Sequence, residues 1–306
     1  MSADRFQLAR VDAGDGAGAR IVVRHDGRLL PLAGLLDGDD QRPLPVTTTE
    51  LLVDGERSFA RIGAALAARG DAVAPLADDG LRWLPPVDTP RKLVCIGANY
   101  RDHIREMGID PSKRPAHPYS FMVPPSTTLV GDGATVKLPA IAEKIDWEAE
   151  VAVVIGTRLH GVSPQEALAG VAAYSVLNDL SARDWTGPNA PKVGIDWVMT
   201  KAYDGFKPMG PWLTPAQFVE RPDDLAVRSW VNGEPKQDGT TADMLFDTGE
   251  LLAHLASIMT LEPGDVVATG TPAGVGHGRR PPEYLGAGDR VTVEVAGLGR
   301  LETTFA

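Results

Sequence analysis

A mixed α+β, strand-rich fold, arranged as a sandwich or roll, is predicted by three features of this chain. Short apolar runs recur along its length, separated by Gly- and Pro-containing turns, which is the pattern strands leave. Few stretches carry the i, i+3, i+4 spacing of an amphipathic helix, and helices do not alternate with strands as a doubly wound sheet requires. The Pro-rich stretch Leu84-Pro-Pro-Val-Asp-Thr-Pro90 marks a boundary between a small N-terminal α+β domain, residues 1–85, and a larger domain, residues 86–306.

In chain order, Phe6 to Val11 and Ala19 to Arg24 read as strands, with a hairpin turn at Asp26-Gly27 leading into Leu29 to Leu32. Residues 48–69 read as a helix in two parts, with Ser58 capping the second and Phe59, Ile62, Ala65 and Leu66 on one face. After the linker, Lys92 to Gly97 is a strand, and Asn99 to Met107 a short helix closed by Gly108. Strands follow near 128–138, 147–156 and 171–177. Between the last two, Ser163 with Pro164 and Glu166 spells a helix start with a capping box. Further strands are expected at 209–214, 225–232, 265–269 and 290–303, with a helix over 247–259 capped by Asp247.

The 306 residues are 43% hydrophobic, enough to bury a full core. Thirty basic against 41 acidic residues give a net charge of −11, which argues against nucleic acid as a partner. An anionic substrate remains compatible, because local cations set the field inside a pocket. The single cysteine, Cys95, excludes an intrachain disulfide and reads as a buried small hydrophobe. No run reaches the ~18 apolar residues of a membrane span, and the N-terminus lacks a signal-peptide pattern. A cytoplasmic location without a membrane partner is therefore expected.

Three acids stand out. In Asp146-Trp-Glu-Ala-Glu-Val-Ala-Val-Val-Ile-Gly156, Glu148 and Glu150 share the parity of Ala152 and Val154, so both face one side of a strand. That run contains no Lys or Arg, and two adjacent carboxylates repel each other. A hard divalent cation reconciles them, and Asp179, at the end of the next apolar run, is a natural third ligand. Surface acids at a strand edge are the other reading of the same residues. A second constellation, His103 and Glu106, shares a helical face at i, i+3; a carboxylate beside an imidazole makes a usable base. An exposed charged helix would show the same spacing.

Five segments carry a resemblance. They are Cys95 to Gly108 and Asp146 to Gly156, then Asn178-Asp-Leu-Ser-Ala-Arg-Asp-Trp185, Lys201-Ala-Tyr-Asp-Gly-Phe-Lys-Pro-Met-Gly-Pro-Trp212 and Gly264 to Gly276. In this order and spacing they resemble the fumarylacetoacetate hydrolase family. The N-terminal domain and Pro281-Pro-Glu-Tyr-Leu285 are similar to its bacterial acylpyruvase and oxaloacetate decarboxylase-like group. The resemblance implies a β-sandwich roll and a homodimer. It implies Mg²⁺ or Mn²⁺ (Ca²⁺ as a substitute) held by Glu148, Glu150 and Asp179, a water-activating pair His103–Glu106, and Lys201 as a pocket lysine. Thr271 matches a substrate-contacting position. Tyr100, Arg101, Thr186 and Tyr203 are further candidates for substrate contact, Arg101 and Arg183 being equally open to structural roles.

By the same resemblance the substrate is a 2-oxo acid, chelated through its carboxylate and keto oxygens, and the activity a metal-dependent hydrolysis or lysis of a C–C bond through an enolate. The same site supports an oxaloacetate-type decarboxylase, or a 2-hydroxymuconate or hydroxyheptadienedioate-type isomerase of aromatic catabolism; a non-catalytic ligand binder is the alternative from another class. A Rossmann oxidoreductase is disfavoured, since no Gly-x-Gly-x-x-Gly follows a strand. Two departures bear on the substrate. Val123 stands where the family pattern Phe-x-Lys-Pro has a lysine, and Thr186 follows Trp185 where Gln is common. Both changes predict a less charged or bulkier substrate than oxaloacetate.

Overall fold

The structure, a computed structural model, describes residues 5–37, 44–186 and 194–306. Strands β1 (Gln7–Asp12), β2 (Ala19–His25) and β3 (Arg28–Pro31) pair antiparallel. The β2–β3 turn is Asp26-Gly27, both residues at positive φ, the conformation whose twist matches a two-residue hairpin. Helices α1 (Leu32–Leu36), α2 (Thr48–Val53) and α3 (Gly55–Arg69) follow. The expected two-part helix is present, but its second part begins at Gly55, with Asp54 at the N-cap position. The Ser58 N–H donates to Asp54 O inside the helix, so Ser58 is not a cap. Phe59, Ile62 and Leu66 are buried, as their spacing predicts. Strand β4 (Arg82–Leu84) returns to pair with β1, giving the sheet order β3-β2-β1-β4.

The rest of the chain runs through β5 (Leu93–Gly97), α4 (Arg101–Glu106), β6 (Tyr119–Val123), α5 (Pro125–Thr128), β7 (Leu129–Val130), β8 (Ala134–Val136) and β9 (Ile145–Asp146). It continues with β10 (Ala149–Ile155), α6 (Pro164–Ala169), β11 (Val171–Asn178), β12 (Ser181–Ala182), α7 (Trp197–Lys201), β13 (Lys207–Pro208) and β14 (Thr214–Pro215). It ends with β15 (Ala226–Val231), β16 (Glu234–Thr240), α8 (Thr248–Ile258), β17 (Val266–Ala268), β18 (Arg290–Val295) and β19 (Gly299–Phe305). A six-stranded sheet has the order β14-β11-β10-β17-β5-β6, and a five-stranded sheet the order β16-β15-β18-β19-β8. Pairing is antiparallel except β5–β17, β8–β19 and β7–β13. The helix at Ser163 opens with the expected capping box, and Asp247 caps its helix as expected, in a capping box completed by Glu250.

Three expected strands differ. Residues 209–214 are flanked by two-residue strands instead of forming one, since Pro208 and Pro211 remove the N–H groups a ladder needs. The run 290–303 is the hairpin β18–β19, turned at Gly297 with φ 77°. The run 128–138 is broken into β7 and β8.

Strands β10 and β11 are buried at every residue, so both faces of the six-stranded sheet are covered. On one face, Val151, Val153 and Ile155 pack with the five-stranded sheet through Val227, Val293 and Leu301. On the other, Ala152, Val154 and Cys95 share one apolar cluster with Leu8, Leu30, Leu51 and Ile62 of the N-terminal segment. Glu150 has the parity of this second face. Among the described residues no helix is long and apolar enough to cross a membrane.

Candidate active site

The pairing of β10 with β11 assembles the acids. Ala149 lies opposite Asn178 in register, so Glu148 and Asp179, each one residue beyond the ladder, meet across it. The Asp179 N–H donates to Glu148 O, and the Glu148 N–H to Asn178 Oδ1, at 2.9 and 3.0 Å. Glu148, Glu150 and Asp179 are all buried, with one oxygen from each within 4.8 Å of the others. Surface acids at a strand edge would be solvated, so that reading fails on burial.

Cations from elsewhere in the chain meet two of the three. Lys201, at the end of α7, donates to Glu148 Oε2 at 2.6 Å and to Asp179 Oδ2 at 2.7 Å. Arg183 bridges Asp146 and Glu148. Lys207 Nζ lies 2.8 Å from Asp179 Oδ1, which accepts no well-directed hydrogen bond. Among the described residues, the Gly270 N–H, at 2.9 Å, is the one hydrogen-bond donor to the Glu150 carboxylate. The electrostatics follow. Burial opposes the charge of Glu148, but Lys201 and Arg183, with His103, outweigh it and hold the carboxyl down at about 2. Burial, with Asp179 and Glu148 adding like charge, pushes Glu150 well above the carboxylate range. Burial works against the Lys201 charge, and Asp179 and Glu148 more than restore it.

Four buried carboxylates (Asp146, Glu148, Glu150, Asp179) thus face three cations (Arg183, Lys201, Lys207). The unmatched negative charge rests on Glu150. An all-oxygen donor set, an under-satisfied Asp179 oxygen and one uncompensated charge fit a hard divalent cation.

His103 and Glu106 sit on α4 as the spacing predicts, His103 Nδ1 lying 3.0 Å from Glu106 Oε2. The other Glu106 oxygen accepts the Gly274 N–H at 2.9 Å. Gly278 packs so close that a Cβ there would lie 2.2 Å from Glu106 Cδ, so only glycine leaves room for the carboxylate. The Gly-rich segment after β17 therefore anchors Glu106. Asp146, which accepts the Gly276 and His277 N–H groups and Arg183 Nε, ties that segment to the stretch that carries Glu148 and Glu150. Gln237 of β16 stitches the same region: its Oε1 accepts the Ala149 N–H and its Nε2 donates to Thr271 Oγ1 and Pro272 O.

A cavity of about 550 Å³ opens beside the dyad, lined by His103, Glu106, Arg183, Thr186 and Thr200. Its remaining wall is mostly apolar, with Met107, Ile109, Tyr119, Trp197, Val275 and Pro282. Arg280 and His277 also line it, His277 engaging Tyr284 Oη through Nδ1. Of the residues expected to touch substrate, Thr186 lies on this wall. Arg101 is turned away, donating to Asp243 O and Met244 O. The Tyr203 hydroxyl accepts Trp185 Nε1, and the Thr271 hydroxyl donates to Ala149 O. Tyr100 is fully enclosed near Glu150, its hydroxyl without a well-formed hydrogen bond. Val123, 3% exposed, belongs to the apolar cluster under the N-terminal segment and does not line the cavity.

Sequence reasoning assigned no role to Lys207, Asp146 or Gln237. The signal for Lys207 was present, a lone charge among the apolar residues of Gly205-Phe-Lys-Pro-Met209. Asp146 was visible only as the residue before the Trp-Glu-Ala-Glu run. Gln237 lies in a polar strand with no apolar alternation.

Residues 92–306 match the family model described as fumarylacetoacetate (FAA) hydrolase C-terminal. A human mitochondrial oxaloacetate tautomerase is 39% identical over 256 residues, 84% of this chain and 78% of the relative. A fumarylacetoacetate hydrolase from Exiguobacterium antarcticum superposes with a TM-score of 0.80 at 34% identity, covering 98% of this chain and 99% of that one. A maleylpyruvate hydrolase from Sphingobium, solved with manganese(II) and pyruvate, superposes with a TM-score of 0.76 at 27% identity, over 98% of each chain.

Proposed function

The chain belongs to the fumarylacetoacetate hydrolase family of enzymes, and from that premise we propose that it is a divalent-metal-dependent hydrolase or lyase cleaving a C–C bond of a 2-oxo acid. The substrate class is an acylpyruvate or a fumarylacetoacetate-like compound. The observation that carries this is the buried triad Glu148, Glu150 and Asp179 beside the His103–Glu106 pair. The manganese and pyruvate bound by the similar Sphingobium enzyme support both cation and substrate class.

Mg²⁺ or Mn²⁺ in the triad would supply a Lewis acid that stabilises negative charge as the bond breaks. The chain's own residues do the rest. Glu106 holds the imidazole through Nδ1, which leaves Nε2 of His103 as the nitrogen that takes a proton from water. With a divalent cation the site turns from one net negative charge to one net positive, which suits a monoanionic 2-oxo acid. The apolar wall of the cavity suits an acyl group bulkier and less charged than that of oxaloacetate.

A second reading, isomerisation or decarboxylation of an oxaloacetate-type acid, is favoured by the identity to the oxaloacetate tautomerases. A screen of 2-oxo acids with Mg²⁺ and Mn²⁺, against a chelator control, separates the two. We expect metal-dependent cleavage of neutral acylpyruvates to exceed turnover of oxaloacetate; the reverse preference would establish the second reading, and no turnover of either would remove both. The site lies wholly in 86–306, which we take as the catalytic domain, with 1–85 as a small N-terminal domain. A cytoplasmic homodimer is part of the proposal.

Gly278→Ala tests the anchoring of the dyad. The new methyl group displaces the Glu106 carboxylate, and a misplacement of this kind costs about 100-fold in rate. Melting temperature and Mn²⁺ affinity should stay near those of the parent, because the Glu106 carboxylate bonds His103 and the Gly274 N–H and not the triad. Unchanged kcat would separate Glu106 from the chemistry.

A further inference from the structure

We propose that Lys207 is a fixed positive charge built against the cation site, one that supplies part of the cation's charge beside Asp179 in the metal-free protein and so opposes the cation electrostatically. This rests on reading the triad as cation ligands.

Lys207 is 0% exposed. Its Nζ donates to Lys201 O at 2.7 Å and Phe206 O at 3.0 Å, approaches Leu180 O at 3.4 Å, and lies 2.8 Å from Asp179 Oδ1. Enclosing a lysine costs side-chain freedom and hydration of its charge, so a role limited to capping carbonyls would be met more cheaply by a neutral donor. Asp179 is what needs the charge. Lys201 takes one oxygen of that carboxylate and Lys207 the other, so two ammonium groups straddle it and fix its plane. Glu148 is matched by Lys201 and Arg183, which leaves Glu150 to carry the deficit that a divalent cation would meet.

The charge reaches the cluster from β13. A second route lies on β6. Phe121, whose ring is 5.7 Å from Lys201 Nζ, has the same strand parity as Val123, and both belong to one buried cluster with Cys95. The Cys95 thiol is pushed up by burial first and by Asp179 next, and is drawn back by Lys207, which places this face against the same charges. A lysine at position 123, where this chain departs from the Phe-x-Lys-Pro pattern, would thus deliver its ammonium to the cluster that Lys207 serves.

The test compares the parent, Lys207→Gln and the double variant V123K/K207Q. Each is melted with chelator and with saturating Mn²⁺, and Mn²⁺ affinity is read from the spin-resonance signal of the free ion. For Lys207→Gln we expect a larger loss of Tm in chelator than in Mn²⁺. We also expect at least about tenfold tighter Mn²⁺ binding, the order for removing a unit charge a few ångströms from a cation. The double variant should move both readings back toward the parent. Equal loss of Tm in both conditions with unchanged affinity would reduce Lys207 to a carbonyl cap and overturn the inference. So would a double variant no closer to the parent than Lys207→Gln, or insolubility of both variants; a soluble double beside an insoluble single supports it. A parent that binds no Mn²⁺ would overturn the cation reading itself, and the inference with it.

Discussion

Glu150→Gln should abolish metal-dependent turnover while making the metal-free protein more stable than the parent. The amide keeps the hydrogen bond from the Gly270 N–H and removes the carboxylate that Asp179 and Glu148 repel. Activity should fall more than about 100-fold, beyond the ~10–100-fold typical of groups that only orient a ligand. The rise in Tm produced by Mn²⁺ should vanish with it.

The pH dependence has a definite sign. Burial and like charge raise the folded Glu150 carboxyl above its ordinary 4.5, so in the metal-free parent its cost to stability is absent below about that pH and grows as pH rises. Glu148 runs the other way: held at about 2 in the fold, it contributes stability above about 4.5 that is lost as pH falls toward 2. Glu150→Gln should therefore flatten the loss of Tm on the alkaline side in chelator and leave the acid limb unchanged. Thermal melts across pH, with and without Mn²⁺, check this; an alkaline limb as steep as the parent's would contradict the assignment of charge strain to Glu150.

His103→Asn should lower kcat for acylpyruvate hydrolysis by roughly 10²–10⁴-fold, the range for a positioned general base. Asn retains a polar contact for Glu106 but no nitrogen able to take the proton. Mn²⁺ affinity should be unchanged, since the triad is intact. Any metal-dependent decarboxylation of oxaloacetate should persist in this variant, because that step needs no attacking water. Hydrolysis at the parental rate would remove the His103–Glu106 pair from the mechanism.

The acids were legible because strand parity is local. Glu148 and Glu150 share a face whatever the rest of the chain does, and the apolar run after them announces burial. The dyad was legible for the same reason, one helical turn separating its members. The cations were not. Lys201, Lys207 and Arg183 reach the triad from α7, β13 and the segment after β12, so their meeting is a product of tertiary packing that no periodicity encodes. Lys201 came only from family resemblance. Among the longer strands, β6 and β16 escaped notice. Tyr119-Ser-Phe-Met-Val123 is short, and Glu234-Pro-Lys-Gln-Asp-Gly-Thr240 shows no alternation, although the Asn232-Gly233 turn before it is a strong hairpin signal. Substrate contacts were the least legible part. Whether Arg101 faces a ligand or two backbone carbonyls depends on where the loop at 243–244 passes.

The hairpin β15–β16 lies on the sheet opposite the triad, yet it sends Gln237 to hold Ala149 and Thr271. Its register is set by the two-residue Asn232-Gly233 turn and by the irregularity that brings Ser229 opposite Gln237. Side chains alternate along a strand, so one residue inserted or deleted in that turn sends Gln237 to the outer face. The length of a surface loop is thereby constrained by the packing of a buried acidic cluster one sheet away. Among natural variants of this chain, insertions should be scarce at 232–233 despite its exposure, and where they occur a compensating change should be found at Gln237 or Ser229.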